Sequence, residues 1–272
     1  MTSLRGCNRW LFFGLAYGWT WVFWVPPALL GLRVDEMPVP VLVALGGVGP
    51  AVAAISLVYL AGDRHARRDF WARVFDFRRI GLRWHSVVFL TVPVLTAAAA
   101  LLDIVGGGSG AQLEARFHSG LLSILPFAVF TLFFGPVPEE LGWRGYALDD
   151  LLERHSALVA SLILGALWTV WHLPLFCIEG SYQNGLTFGS VGLWWFLLDK
   201  MLLSIFMTWI YKNTGRSTQS AILFHFVVNF VGELLVLTER ATLCQLLLWI
   251  GVVGVVAARE PAFYQGKQAP EG

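Results

Sequence analysis

The stretch GPVPEELGWRGYALDD at 135–150 carries two adjacent glutamates, Glu139 and Glu140, and then Arg144. Pro136 and Pro138 precede them, so a helix can start or restart at Glu139, where the helix dipole favours carboxylates. Glu140 and Arg144 are four apart with the acid first, the better order for a helical ion pair. Glu139 points about 100° away from Glu140 on a 3.6-residue helix. The two glutamates therefore suit different jobs: Glu140 held by Arg144, Glu139 left free to face a cavity. An interfacial helix start with a surface ion pair has the same spacing. Further on, LWTVWHLP at 167–174 sets His172 in an apolar run, with Trp168 one turn earlier on the same face and Pro174 positioned to kink the helix. A packing histidine would look the same. HFVVN at 225–229 puts His225 and Asn229 on one helix face, as a polar clamp between helices or as a catalytic pair. Together, one free carboxylate, two histidines and an asparagine on three helices make a hydrolytic set. A carboxylate can take a proton from water, a histidine can orient that water, and a histidine with an asparagine can donate to a developing oxyanion. No serine or cysteine nucleophile motif competes.

The elements that must position these residues are membrane helices. Of 272 residues, 57% are hydrophobic and 14% charged, where soluble domains run roughly 45–50% and about 25%. Mean hydropathy is +0.65. The sequence predicts an all-α polytopic membrane protein of about eight transmembrane helices around a polar intramembrane cavity. It reads as a single domain, 1–272, with a core at 120–238 carrying the polar motifs. The predicted spans are 10–32, 38–62, 85–105, 120–138, 156–178, 193–212, 220–238 and 241–257. The first is too long for a signal-peptide core and lacks a small-residue cleavage site. Cys7, Cys177 and Cys244 are too few and too scattered for a disulfide framework or a cysteine metal site. The last dozen residues read as frayed, and most of the 13 tryptophans read as interfacial anchors.

Basic residues give the expected orientation. Seven arginines (Arg64, Arg67, Arg68, Arg73, Arg78, Arg79, Arg83) share one side with Arg5, Arg9, Arg144, Arg154, Lys212, Arg216, Arg259 and Lys267. Only Arg33, Arg116 and Arg240 fall on the other side. The rich side should be cytoplasmic, with both termini inside a cell-membrane protein. The Arg-rich 63–84 connection suits anionic lipid better than nucleic acid. Depth poses one problem. At about 1.5 Å per residue, His172 lies about 24 Å from residue 156 and His225 about 8 Å from residue 220. Glu139 would sit at a span end. The three converge if the fourth helix runs over roughly 120–153, broken near Pro136–Pro138.

The E-E-x-x-x-R pattern (Glu139, Glu140, Arg144), a second motif ending in His172, and H-x-x-x-N (His225, Asn229) resemble the CAAX prenyl protease 2 / Abi (CPBP) intramembrane proteases. The second motif is usually F-x-x-x-H, and here Trp168 replaces the phenylalanine. The resemblance implies an intramembrane endopeptidase. Glu139 matches its water-activating glutamate, His172 the histidine that positions that water, and His225 with Asn229 the oxyanion hole. Glu140 and Arg144 match the supporting pair. Two versions of the chemistry stay open: a metal-free activated water, which is preferred, or zinc held by Glu139, His172 and His225. The expected partners are a peptide or membrane-protein substrate tail and the lipid bilayer. A non-enzymatic immunity or scaffold protein that kept the motifs is the alternative. A proton-coupled transporter fits less well, because no inverted repeat is visible. Asp199 and Lys200 receive no role; they could pair with other helices, or Lys200 could snorkel. Asp103, near a span end, could simply reach water.

Overall fold

The computed structural model describes residues 9–110, 121–186 and 189–260. Arg5, Cys7, Arg116, Lys267 and the terminal segment 261–272 lie outside the described residues. Within them the chain is helical, apart from an isolated β-bridge between Arg33 and Glu179. The helices are α1 (Arg9–Leu29), α2 (Val39–Gly47), α3 (Gly49–Leu60), α4 (Arg64–Phe75), α5 (Leu82–Val105) and α6 (Ile124–Phe134). They continue with α7 (Pro136–Gly142), α8 (Leu148–Arg154), α9 (Ala157–Trp171), α10 (Val191–Asn213), α11 (Thr218–Leu234) and α12 (Glu239–Arg259).

Among the described residues, six helical stretches are long and apolar enough to cross a bilayer: Val39–Leu60, Leu82–Val105, Ile124–Arg154, Ala157–Cys177, Val191–Asn213 and Glu239–Arg259. Helices α1 and α11 stand where two further spans are expected. At 17 residues α11 is short for a crossing, and α1 is diluted by tryptophan, tyrosine and glycine. The multi-pass architecture stands, with six spans qualifying by length and composition among the described residues. The fourth span is the long version: Ile124–Arg154 covers 31 residues through α6, α7, a single π-helical turn at Trp143–Ala147 and α8. The sharp break is at Gly135, with Pro136 in the first turn of α7. The helix therefore restarts three residues earlier than Glu139, because a proline at the first position loses no hydrogen bond.

Close helix crossings are set by small residues. A Cβ added at Gly142 would overlap Pro50, whose backbone carbonyl carbon and oxygen would lie 2.7 Å away, so α7 presses on α3 there. A Cβ at Gly165 would meet the Lys200 carbonyl oxygen at 2.9 Å, so α9 presses on α10. On α1 the buried stripe Phe12, Ala16, Thr20 and Trp24 recurs every four residues, one face of a helix. Thr20 donates to the Gly46 carbonyl and accepts from the Trp171 indole, both at 2.8 Å. Trp24 is buried and donates to the Val43 carbonyl at 3.0 Å. It is an interhelical clamp, not the interfacial anchor its position suggests, whereas Trp10 and Trp194 are exposed.

Two polar clusters close opposite ends of the bundle. At one end Asp149 on α8 takes Arg73 of α4 at 2.9 Å, the Tyr211 hydroxyl of α10 at 2.9 Å, and Arg216 of the α10–α11 turn. This brings together three connections expected on one side. At the other end Asp103 is buried. It accepts from Thr238 at 2.9 Å and pairs with Arg240 at 3.5 Å. Its expected reach to water is thus corrected: it ties α5 to α12.

Candidate active site

The two adjacent glutamates divide as their 100° separation requires. Glu140 is completely buried. Arg144 Nη1 donates to both its carboxylate oxygens, at 2.9 and 3.0 Å, and His225 Nδ1 reaches Oε1 at 2.9 Å. Arg144, equally buried, sits within the π-helical turn; such turns recur at functional sites. The expected Glu140–Arg144 pair is present, and His225 is its third member.

Glu139 is not free. It is 8% exposed, and Oε2 accepts from Trp168 Nε1 at 2.6 Å. Its other oxygen, Oε1, has no hydrogen-bond partner among the described residues. Its own amide donates to the Gly135 carbonyl at 3.1 Å, which fixes it one turn above the helix break.

His172 caps α9 where Pro174 forbids another turn, and is 8% exposed. Its Nδ1 lies 2.7 Å from the Trp168 carbonyl. A carbonyl only accepts, so Nδ1 donates and Nε2 bears a lone pair. The same argument applies to His225, whose Nδ1 faces a carboxylate held by arginine. Neutral His225 therefore presents Nε2 as an acceptor, and it donates to an oxyanion only as imidazolium, with Glu140 as its counter-charge. The Asn229 amide donates in either case. Asn229 is half-buried and faces the break: a Cβ on Gly135 would come within 3.3 Å of its Nδ2.

Trp168 joins these groups. Its ring centroid lies 6.3 Å from that of His172 and 5.1 Å from that of His225, edge-on. The Arg144 guanidinium lies over the ring at 4.9 Å and Lys200 Nζ at 4.8 Å. Glu139, Glu140, Arg144, His172 and His225 thus gather around one indole, and Asn229 stands at the adjacent helix break. Sequence reasoning took the Trp168-for-phenylalanine exchange as one aromatic for another. The missed signal is the indole N–H, which phenylalanine lacks. Asp199 and Lys200 pair with each other at 3.2 Å rather than with separate helices.

Zinc suits two bare Nε2 atoms and a carboxylate chemically, with each Nδ1 anchored as metal-bound histidines usually are. Among the described residues, however, no three His, Cys, Asp or Glu side chains converge closely enough to hold an ion.

Residues 121–231 match the type II CAAX prenyl endopeptidase Rce1-like family. The CAAX prenyl protease 2 of Methanococcus maripaludis (strain S2) is 32% identical over 264 residues, covering 95% of this chain and 94% of that protein. The UPF0177 protein YxdF of Lactococcus lactis subsp. lactis (strain IL1403) is 24% identical over 170 residues, covering 61% of this chain and 76% of that protein.

Proposed function

Because this chain belongs to the CAAX prenyl protease 2 family and is a membrane-embedded endopeptidase, we propose that Glu139 activates the water that cleaves its substrate. The observation that carries this reading is the division of the glutamates. Glu140 is spent on Arg144 and His225, while Glu139 is held by one oxygen only. Glu139 Oε1 and His172 Nε2 are both acceptors, so together they take the two hydrogens of one water and leave its lone pair directed at the scissile carbonyl. The proton passes to Glu139 as the C–O bond forms. Asn229 and protonated His225 stabilise the oxyanion, and Glu139 returns the proton to the amine as the C–N bond breaks, leaving the new carboxylate on the other fragment. No acyl-enzyme forms.

The relative's name supports a CAAX-type protein tail as substrate, entering a polar cavity among about eight spans. The side bearing α4 is assigned to the cytoplasm on its basic residues. There exposed Arg64, Arg68, Arg78 and Arg83 neighbour exposed Phe75, Phe77 and Leu82, a composition suited to an anionic lipid surface. The cellular test compares protein termini in membranes of cells expressing wild type or Glu139→Gln at matched levels. New termini confined to the wild type are expected; identical sets would remove the proposed role of Glu139.

Metal independence has its own test. Enzyme dialysed against 1,10-phenanthroline and EDTA, and shown zinc-free by mass spectrometry, is expected to keep more than about half of its activity. A loss of about 100-fold or more, restored by zinc, would instead assign Glu139, His172 and His225 as ligands.

A further inference from the structure

We infer that Trp168 is a positioning residue for the water-activating carboxylate, with Lys200 seating its indole. This rests on the reading of Glu139 given above. The Trp168 N–H meets Glu139 Oε2 at 2.6 Å, a short charge-assisted hydrogen bond. A carboxylate has two equivalent oxygens and rotates easily about its terminal bond. Engaging Oε2 makes the two inequivalent and aims Oε1 at the water. The donor itself is fixed. Trp168 is 1% exposed, and two cations lie over its ring, Arg144 at 4.9 Å and Lys200 at 4.8 Å. Desolvated cation–π contacts of this kind are strongly oriented.

Each cation has a separate anchor. Arg144 is bound to Glu140, and Lys200 to Asp199 at 3.2 Å. Lys200 also lies 5.0 Å over the Phe196 ring. The close crossing at Gly165, one turn before Trp168, lets α9 come near enough to α10 for Lys200 to reach the indole. The pair Asp199–Lys200 thereby acquires a role: it holds the indole plane from α10, as Glu140–Arg144 does from α7 and the π-helical turn. The backbone of Trp168 also contributes, since its carbonyl fixes His172 through Nδ1 at 2.7 Å. One residue thus orients both proposed holders of the water, Glu139 by side chain and His172 by main chain.

Trp168→Phe separates these functions. Phenylalanine keeps the aromatic face and the main-chain carbonyl and deletes only the N–H donor. It is also the residue usual at this place in the motif, so folding is expected to survive. The expected result is a kcat lowered about 10- to 100-fold, the scale of a misaligned reacting group, with KM within about two-fold and unchanged thermal unfolding. A purely packing role would leave kcat alone. Replacing Trp168 by β-(3-benzothienyl)alanine, which has sulfur in place of the N–H and the same bicyclic shape, is expected to reproduce the kcat loss even if Trp168→Phe folds poorly. Lys200→Met is expected to lower kcat in the wild type and to add less than about two-fold to Trp168→Phe, because coupled residues are not additive.

Full kcat in either Trp168 variant would overturn the inference. An additive Lys200→Met effect would overturn the part assigned to Lys200. Glu139→Gln, assayed alongside, keeps the two readings apart. If it cleaves normally, the proposed role of Glu139 fails; if it is inactive while Trp168→Phe is normal, only the positioning role fails.

Discussion

Purified Glu139→Gln is expected to lose at least about 10³-fold in kcat, with KM and thermal unfolding close to wild type. Glutamine keeps the shape of glutamate and an oxygen that can still accept from Trp168 Nε1, the bond that holds Oε2 at 2.6 Å. What it lacks is a basic oxygen, so the proton of the attacking water has no destination. General-base catalysis contributes about 10²–10⁴-fold, and 10³-fold corresponds to about 4 kcal/mol of transition-state free energy. Glu140→Gln should behave differently. Glu140 faces Arg144 and His225 with no exposure, so that variant is expected to lose stability as well as rate. Cleavage assays in detergent, with unfolding scans on the same preparations, test both. If Glu139→Gln turns over at the wild-type rate, Glu139 is not the base. If the two variants are indistinguishable in stability, the division of labour between the glutamates is wrong.

The polar cluster was legible in the sequence because intramembrane charge is costly and therefore rare. Glu139, Glu140, Arg144, His172, His225 and Asn229 stand out against apolar helices, and helical spacing alone pairs Glu140 with Arg144. The depth argument also recovered the long fourth helix, since three groups that must meet cannot lie at three levels. Contacts between distant segments were not legible. Nothing local indicates that the Trp168 N–H, 29 residues away, ends on Glu139. Nor does it show that His225 would close the Glu140–Arg144 pair across 85 residues. Those contacts depend on how closely helices cross, which Gly142 and Gly165 permit without marking which partner arrives. Asp103 was misplaced for the same reason. Position near a span end suggests water, whereas Thr238 and Arg240, brought by α12, bury it. The aromatic richness of α1 lowers its hydropathy without preventing it from packing as a helix where a span was expected.

The second large effect concerns the buried ion pair rather than the water. Arg144→Met is expected to destabilise the fold by about 3–5 kcal/mol, the cost of leaving one partner of a buried pair charged and alone. Arg144 and Glu140 both have fully buried side chains, joined at 2.9 Å, and methionine fills much of the same volume without a charge. Glu140 would keep only His225 as a partner, and Trp168 would lose one of the two cations over its ring. Activity should therefore fall along with stability. The double variant Glu140→Gln/Arg144→Met removes both charges, so it is expected to be more stable than Arg144→Met alone, a non-additivity of a sign that a simple packing defect would not give. Equilibrium unfolding of the four proteins in one detergent measures the cycle. An Arg144→Met variant within about 1 kcal/mol of wild type, the range of an exposed pair, would mean that the pair is solvated in the membrane. Glu140 would then not be withdrawn from chemistry by Arg144, and the assignment of the base would have to be settled between the two glutamates by their separate effects on kcat.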